Sequence, residues 1–229
     1  MGINYDEFIR RLKQERIKHQ ISYRGMGEKV QISHSQYYKG ENGYSRLSNS
    51  ELQNICSTKI NIFYSFTGKA VLYPNTYEEI FENADCDALI SCLRMINILA
   101  NQKRKTGRNK SEWEKIFSET EYLSYVYTGS AREKNVFKAT RDYYNILQNQ
   151  MATELGMDVK TLRNLENDKT QPDSEIIFKM YLKYGISPSV FLKNKRCFQD
   201  ELTYLLNSQS GEVGDTLLHF VKTIMLLVQ

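Results

Sequence analysis

The stretch Gln150–Asp173, QMATELGMDVKTLRNLENDKTQPD, divides into two short helices and the turns around them. Met151 and Leu155 lie four apart and so share one helix face. Gly156 follows them, as a glycine just past a helix C-terminus does. Asp158 has the chemistry of an N-cap for the next helix, with Thr161 at its third position. Leu162 and Leu165 make the apolar stripe of that second helix. Asn167, Asp168 and Pro172 form a turn, and Asp173 caps the helix that follows. Ile176, Ile177, Met180 and Tyr184 give that helix a buried face, Gly185 ends it, and Ser187-Pro188 opens another short helix.

Two short helices across a tight turn, followed by packing helices, describe a helix-turn-helix. LENDKTQP, preceded by MATELGMDVKT, closely resembles the lambda-repressor/Cro-like (XRE-type) family of DNA-binding domains. The family pattern has Leu-Ala opening helix two, a turn glycine, a Glu near the end of the recognition helix and then a Pro. Here these fall on Met151-Ala152, Gly156, Glu166 and Pro172, while Arg141 and Gln148 sit where the family has its helix-one Arg and helix-two Gln. The resemblance covers roughly Ala131 to Leu192. It implies a bacterial or mobile-element transcriptional regulator whose partner is double-stranded DNA.

Subtracting 125 from these numbers lands on a second copy without a gap. Arg141 maps to Arg16, Ile146 to Ile21, Met151 to Met26, Met157 to Ile32 and Glu166 to Glu41. Asp158 becomes Ser33 and Asp173 becomes Ser48, so capping chemistry is kept; Ser33-x-x-Gln36 and Ser48-x-x-Glu51 read as capping boxes. Copy one departs in places. Gln31 replaces the turn glycine, Gly25 and Gly27 flank Met26, Tyr37 stands for Leu162 and Gly40 for Leu165. Copy two has Asp168 where copy one has Gly43. Glycine inside a helix costs about 1 kcal/mol relative to Ala, so copy one is expected to be the looser of the two. A degenerate copy kept for protein contact is the competing account.

The second helix of such a motif lies in the major groove. By resemblance, the base-reading positions are Val159, Lys160, Thr161 and Asn164 in copy two, and His34, Ser35, Gln36 and Lys39 in copy one. Lysine can donate to guanine, asparagine can pair with adenine, and valine methyls can touch a thymine methyl. The two sets share no residue, so one chain is expected to contact two unlike half-sites. Tyr23, Asn42, Gln148, Asn167 and Lys169 are candidates for phosphate contact, which fixes register without reading sequence.

The predicted fold class is all-α. Two lambda-repressor-like helix-turn-helix domains (1–66 and 131–195) are joined by a helical connector (67–130) and followed by a C-terminal helical tail (196–229). In the connector, Asp85 to Ala100 and Ser111 to Tyr127 read as amphipathic helices, and Gln102 to Lys110 as a basic loop. Thr76-x-x-Glu79 and Ser111-x-x-Glu114 read as capping boxes, and Ser130-x-x-Glu133 as the start of copy two. The tail, DTLLHFVKTIMLLVQ, is apolar nearly all round and must be buried, either against its own chain or in a homodimer.

Composition narrows the alternatives. The 229 residues carry 31 Lys+Arg against 27 Asp+Glu; residues 1–66 hold +4 and 131–195 hold +3, while 67–130 hold −1 and 196–229 hold −2. Thr216 to Val228 is too short for a membrane span and contains Lys222. Asp6 and Glu7 stand where a signal peptide would be basic and then apolar, which points to the cytoplasm, or to the nucleoid when DNA is bound. Cys56, Cys86, Cys92 and Cys197 lack metal-ligand spacing, so neither metal nor cofactor is expected. His19, His34 and His219 have no catalytic neighbours in sequence, and no enzyme is expected. An adaptor or antitoxin-like protein partner is the alternative function.

Overall fold

Helix caps set most of the element boundaries in the computed structural model, which describes residues 4–71, 76–126 and 134–228. Every regular element among them is a helix, so the fold is all-α. The first five are α1 (Tyr5–Lys18), α2 (Tyr23–Val30), α3 (His34–Glu41), α4 (Asn49–Cys56) and α5 (Ile62–Thr67). Next come α6 (Thr76–Phe81), α7 (Cys86–Thr106) and α8 (Lys110–Val126). The third group is α9 (Val136–Tyr144), α10 (Gln148–Leu155), α11 (Val159–Glu166), α12 (Ser174–Tyr184) and α13 (Pro188–Leu192). Last are α14 (Lys195–Asn207) and α15 (Gly211–Val228).

The chain divides into two compact units by pairing distant segments. One comprises residues 1–69 with 134–197, the other residues 70–133 with 198–229. The two sequence copies thus share a unit, and the connector and tail share the other. The first unit holds 22 Lys+Arg against 13 Asp+Glu, net +9, and the second 9 against 14, net −5. The charge is more unevenly divided than the linear segments suggested.

Within the first unit one hydrogen-bond skeleton occurs twice, 125 residues apart. Ile21 N donates to Arg16 O and Ile146 N to Arg141 O. Gln31 and Gly156 end α2 and α10 in the left-handed region, at φ 62° and 68°, so a side chain does occupy the turn in copy one. Ile32 N then donates to Gly27 O, and Met157 N to Ala152 O. Ser33 and Asp158 cap α3 and α11; Ser48 and Asp173 cap α4 and α12. Both capping boxes of copy one form. Gly43 and Asp168 take the same left-handed turn, at φ 77° and 54°. The amides of Tyr44 and Lys169 then close onto Lys39 O and Asn164 O.

Two of copy one's glycines are required by packing. A Cβ on Gly27 would lie 2.8 Å from Ile32 O, so α2 and the turn approach more closely than a methyl allows. A Cβ on Gly40 would lie 2.5 Å from Leu47 Cδ2. Leu47 is fully buried there, whereas the equivalent pair in copy two is Leu165 with buried Pro172. The large residue has moved from the helix to the loop, and the space stays filled.

The copies pack on each other through α1, α4 and α5 of the first and α12 and α13 of the second. Phe8, stacked on Phe66 of its own copy at 4.3 Å between ring centroids, meets Phe178 at 6.3 Å, and Tyr5 meets Phe178 edge-on at 6.0 Å. Ser174 N donates to Leu47 O (2.9 Å), and Leu47 N donates to Ser174 Oγ (3.1 Å). The Tyr5 and Ser174 hydroxyls share a 2.6 Å hydrogen bond. Arg46 Nε donates to Glu175 Oε2, and the Arg46 guanidinium lies over the Tyr5 ring.

In the second unit α7 packs along α8, and α15 packs on α7 and α6. Asp85, the first residue of the expected amphipathic stretch, is the N-cap of α7, its side chain accepting from Ala88 N. The basic stretch Gln102–Lys110 corrects the loop expectation, because α7 continues to Thr106. Gln, Lys and Arg are good helix formers, and Lys103, Arg104 and Lys105 complement the negative helix end. The box at Ser111 does not form either. The amides of Glu112 and Trp113 bond Asn109 O, Lys110 begins α8, and Glu114 accepts from Arg104 instead. Ser130-x-x-Glu133, Tyr127 and the Thr76 side chain lie outside the described residues. On α15, Val213, Leu217, Val221, Ile224 and Met225 are buried, so one face packs on its own chain, while Leu226 and Leu227 remain about 80% exposed.

Gly40→Ala should destabilise the protein by about 1–3 kcal/mol, against helix propensity, through overpacking of Leu47. Denaturant titration of Gly40→Ala, Leu47→Ala and the double variant should give a double-variant loss smaller than the sum. The Glu175 carboxyl sits below its ordinary 4.5: burial pushes it up, but hydrogen bonds from Arg46 and Lys179 outweigh that. Its contribution is therefore present above the unfolded-state value and lost as pH falls through the lower folded-state value. Melting curves should show Glu175→Gln less stable than the parent at pH 7, with the gap narrowing toward pH 3.

Candidate nucleic-acid interface

In each copy a buried carboxylate fixes the third helix to the first helix. In copy one, Arg16 Nε and Nη2 donate to the two oxygens of Glu41 at 2.7 and 2.9 Å, while Arg16 Nη1 donates to Ile21 O. In copy two, Arg141 Nε donates to Glu166 Oε1 at 2.6 Å. Glu41 and Glu166 are 0% and 3% exposed, so neither would be tolerated without its partner. Burial lowers the Arg16 pKa, but the bonds to Glu41 outweigh it and hold the guanidinium more firmly protonated.

The third ligand of each carboxylate differs. Glu166 Oε2 accepts from Gln148 Nε2 at 2.5 Å. Copy one has Tyr23 at that place, its ring 4.0 Å from the Arg16 guanidinium carbon. The missing donor is replaced by Tyr37, whose hydroxyl donates to Glu41 Oε1 at 3.1 Å. Burial and then the Glu41 charge push the Tyr37 phenol far above its usual range, keeping it a donor. Tyr37 and Tyr23 are therefore a compensated exchange for Leu162 and Gln148.

This frame leaves the base-reading candidates outward. His34, Ser35, Gln36 and Lys39 are exposed on α3. On α11, Lys160 is exposed, and Val159, Thr161 and Asn164 are half-buried. Two of the eight are partly engaged. Gln36 Oε1 accepts from Ser33 N in the capping box, and the Thr161 hydroxyl donates to Asp158 Oδ2. Hydrogen bonds from the Thr161 hydroxyl and backbone hold Asp158 below the usual aspartate value, so a negative cap begins α11 where copy one has neutral Ser33.

The phosphate candidates fall around the ends of these helices. Lys169 is exposed in the turn after α11. Asn42 and Asn167 donate to Tyr38 O and Arg163 O, and Asn167 Oδ1 accepts from Lys138. Gln148 gives one amide hydrogen to Glu166 and keeps a second. Sequence reasoning missed three features. Tyr38 and Tyr44, 44% and 74% exposed, stand where copy two has Arg163 and Lys169, and the 125-residue offset could have found them. Exposed Leu147 precedes α10 without a side-chain cap, leaving backbone N–H groups that suit an anion, whereas Ser22 caps α2. The signal was an apolar residue where a cap belongs.

Residues 138–191 match the helix-turn-helix family model. These residues form a helix-turn-helix domain of the Cro/C1 type. The matched span is copy two alone, from within α9 to within α13. The family is one of DNA-binding transcription regulators and is not typically enzymatic. No curated protein and no solved structure matches the chain. Among the described residues, no cluster of His, Cys, Asp or Glu could hold a metal ion, and no helix is long and apolar enough to cross a membrane. None of the four cysteines is in a disulfide, and burial pushes the Cys92 thiol up to about 12.

Glu166→Ala should cost about 3–5 kcal/mol by stranding the Arg141 guanidinium. Glu166→Ala with Arg141→Met should recover part of that loss in thermal melts.

Proposed function

We propose that the protein is a cytoplasmic, sequence-specific regulator of transcription that reads double-stranded DNA with two unlike recognition helices. The observation that carries this is the repeated skeleton. The family match covers copy two, and copy one has the same caps, left-handed turns and buried Arg–Glu tie, with its recognition positions exposed. The net +9 of the unit holding both copies supports a polyanionic partner.

In this mechanism Val159, Lys160, Thr161 and Asn164 read one half-site, and His34, Ser35, Gln36 and Lys39 read the other. Tyr23, Asn42, Gln148, Asn167 and Lys169 hold the phosphates. Operator occupancy is the regulatory act, and no cofactor is invoked. Homodimerisation through α15 belongs to the same proposal, supported by Leu226 and Leu227; light scattering of the free protein and of Leu226→Lys checks it.

Selection of bound sequences from random duplex DNA tests the reading. Two unlike enriched half-sites are expected. No DNA preference, with a single stoichiometric protein recovered instead, would favour the adaptor or antitoxin-like alternative. On the selected site, Lys160→Ala or Asn164→Ala should cost about 1–3 kcal/mol, a loss confined to particular base pairs. Lys169→Ala should weaken all sequences alike and flatten the salt dependence.

A further inference from the structure

We infer that the two copies are related by an approximate two-fold axis, so that one chain presents its recognition helices to DNA as an inverted pair. This rests on the DNA-reading function proposed above and adds to it the relative orientation of the two half-sites.

Contacts between the two copies are reciprocal. A two-fold relation makes contacts come in mirrored pairs, residue i of one copy on j of the other and j on i; a translation joins two different patches. Here α5 packs on its equivalent α13, while α4 packs on α13 and α12 packs on α5. The last residues of α5 and α13, Thr67 and Leu192, are equivalent by the 125-residue offset. Each offers its carbonyl to the fourth helix of the other copy: Gln53 Nε2 donates to Leu192 O, and the Tyr181 hydroxyl to Thr67 O.

The loops entering α4 and α12 obey the same rule. Arg46 pairs with Glu175, and Leu47 with Ser174. Their mirror pairs are Gln171 with Ser50 and Pro172 with Asn49. Asn49, Ser50 and Gln171 line one cavity of about 350 Å³, together with the equivalent caps Ser48 and Asp173. The mirror side is therefore adjacent but open, and its chemistry explains why. Pro172 has no N–H to match the Leu47 donor. Asn49 is 7% exposed, and its Nδ2 is left without a hydrogen-bond partner. Tyr5 and Phe8 of α1 meet Phe178 of α12 on the closed side; their equivalents, 130 and 133, lie outside the described residues. The α5–α13, α4–α13 and α5–α12 contacts obey the two-fold rule, while α1 on α12 has no mirror of equal extent among the described residues.

Inverted half-sites match the dyad symmetry of duplex DNA. Because the two heads differ, the natural site does not display its own symmetry, and the test must make the heads alike. Ser33→Asp, His34→Val, Ser35→Lys, Gln36→Thr and Lys39→Asn together give copy one the cap and reading residues of copy two, all at exposed positions. Selection from random duplex DNA with the parent and with this variant is the experiment. The parent should enrich two unlike half-sites, and the variant an inverted repeat of the half-site read by copy two, at unchanged spacing. A direct repeat overturns the two-fold relation while leaving the proposed function standing. A lone half-site for both proteins also overturns it, because copy one then reads nothing. No enrichment by the parent removes the function itself. The reverse graft, Asp158→Ser, Val159→His, Lys160→Ser, Thr161→Gln and Asn164→Lys, gives an independent result should the first variant melt early. It should select the inverted repeat of the other half-site.

Discussion

A buried carboxylate at the end of the third helix of each copy ties that helix to the first helix of its copy. Glu41 and Glu166 are placed where water cannot reach them, so each must be met by an arginine and a further donor. Their orientation follows from this. The arginine also takes the carbonyl before the second helix, Ile21 O or Ile146 O, so one side chain sets the positions of three segments. The outward residues of α3 and α11 are then held by hydrogen bonds made within each copy.

Copy one shows how that frame survives substitution. Tyr37 replaces a leucine and supplies the donor lost when a glutamine became Tyr23. Leu47 replaces a proline and fills the volume lost when a leucine became Gly40. In both cases two changes at contacting positions conserve a physical quantity, a hydrogen bond or a volume. Read one position at a time, the same residues look like decay. The outward residues show no such pairing: His34, Ser35, Gln36 and Lys39 differ from their equivalents Val159, Lys160, Thr161 and Asn164 at every position. Folding constrains the inside of the two copies alike, and the outer face is free to diverge.

The caps and periodicities were legible in the sequence because they depend on neighbours three or four residues away. Asp158, Ser33, Ser48 and Asp173 all cap the helices they precede, and Gln31 takes the left-handed turn. The errors fell where a local pattern had two solutions. Gln102–Lys110 is polar enough for a loop and equally good as the end of a helix. Ser111 lost its capping role because Asn109, two residues earlier, took it. The tyrosine exchange at Glu41 was not legible, because it joins a contact four residues apart, Tyr37 to Glu41, to contacts of Arg16 with Tyr23 and Glu41, 7 and 25 residues away.

The sequence alone therefore determined the helices of the two copies, most of their caps and the repeat, since each is written in short-range spacing and in a fixed offset. The tertiary structure decided that residues 1–69 and 134–197 form a single unit. That union depends on Tyr5, Leu47 and Arg46 meeting Ser174 and Glu175, contacts between residues more than 120 apart. No periodicity encodes a surface that complements another surface so far along the chain. Only folding brings the two together and reveals which polar groups are satisfied and which, like Asn49, are not.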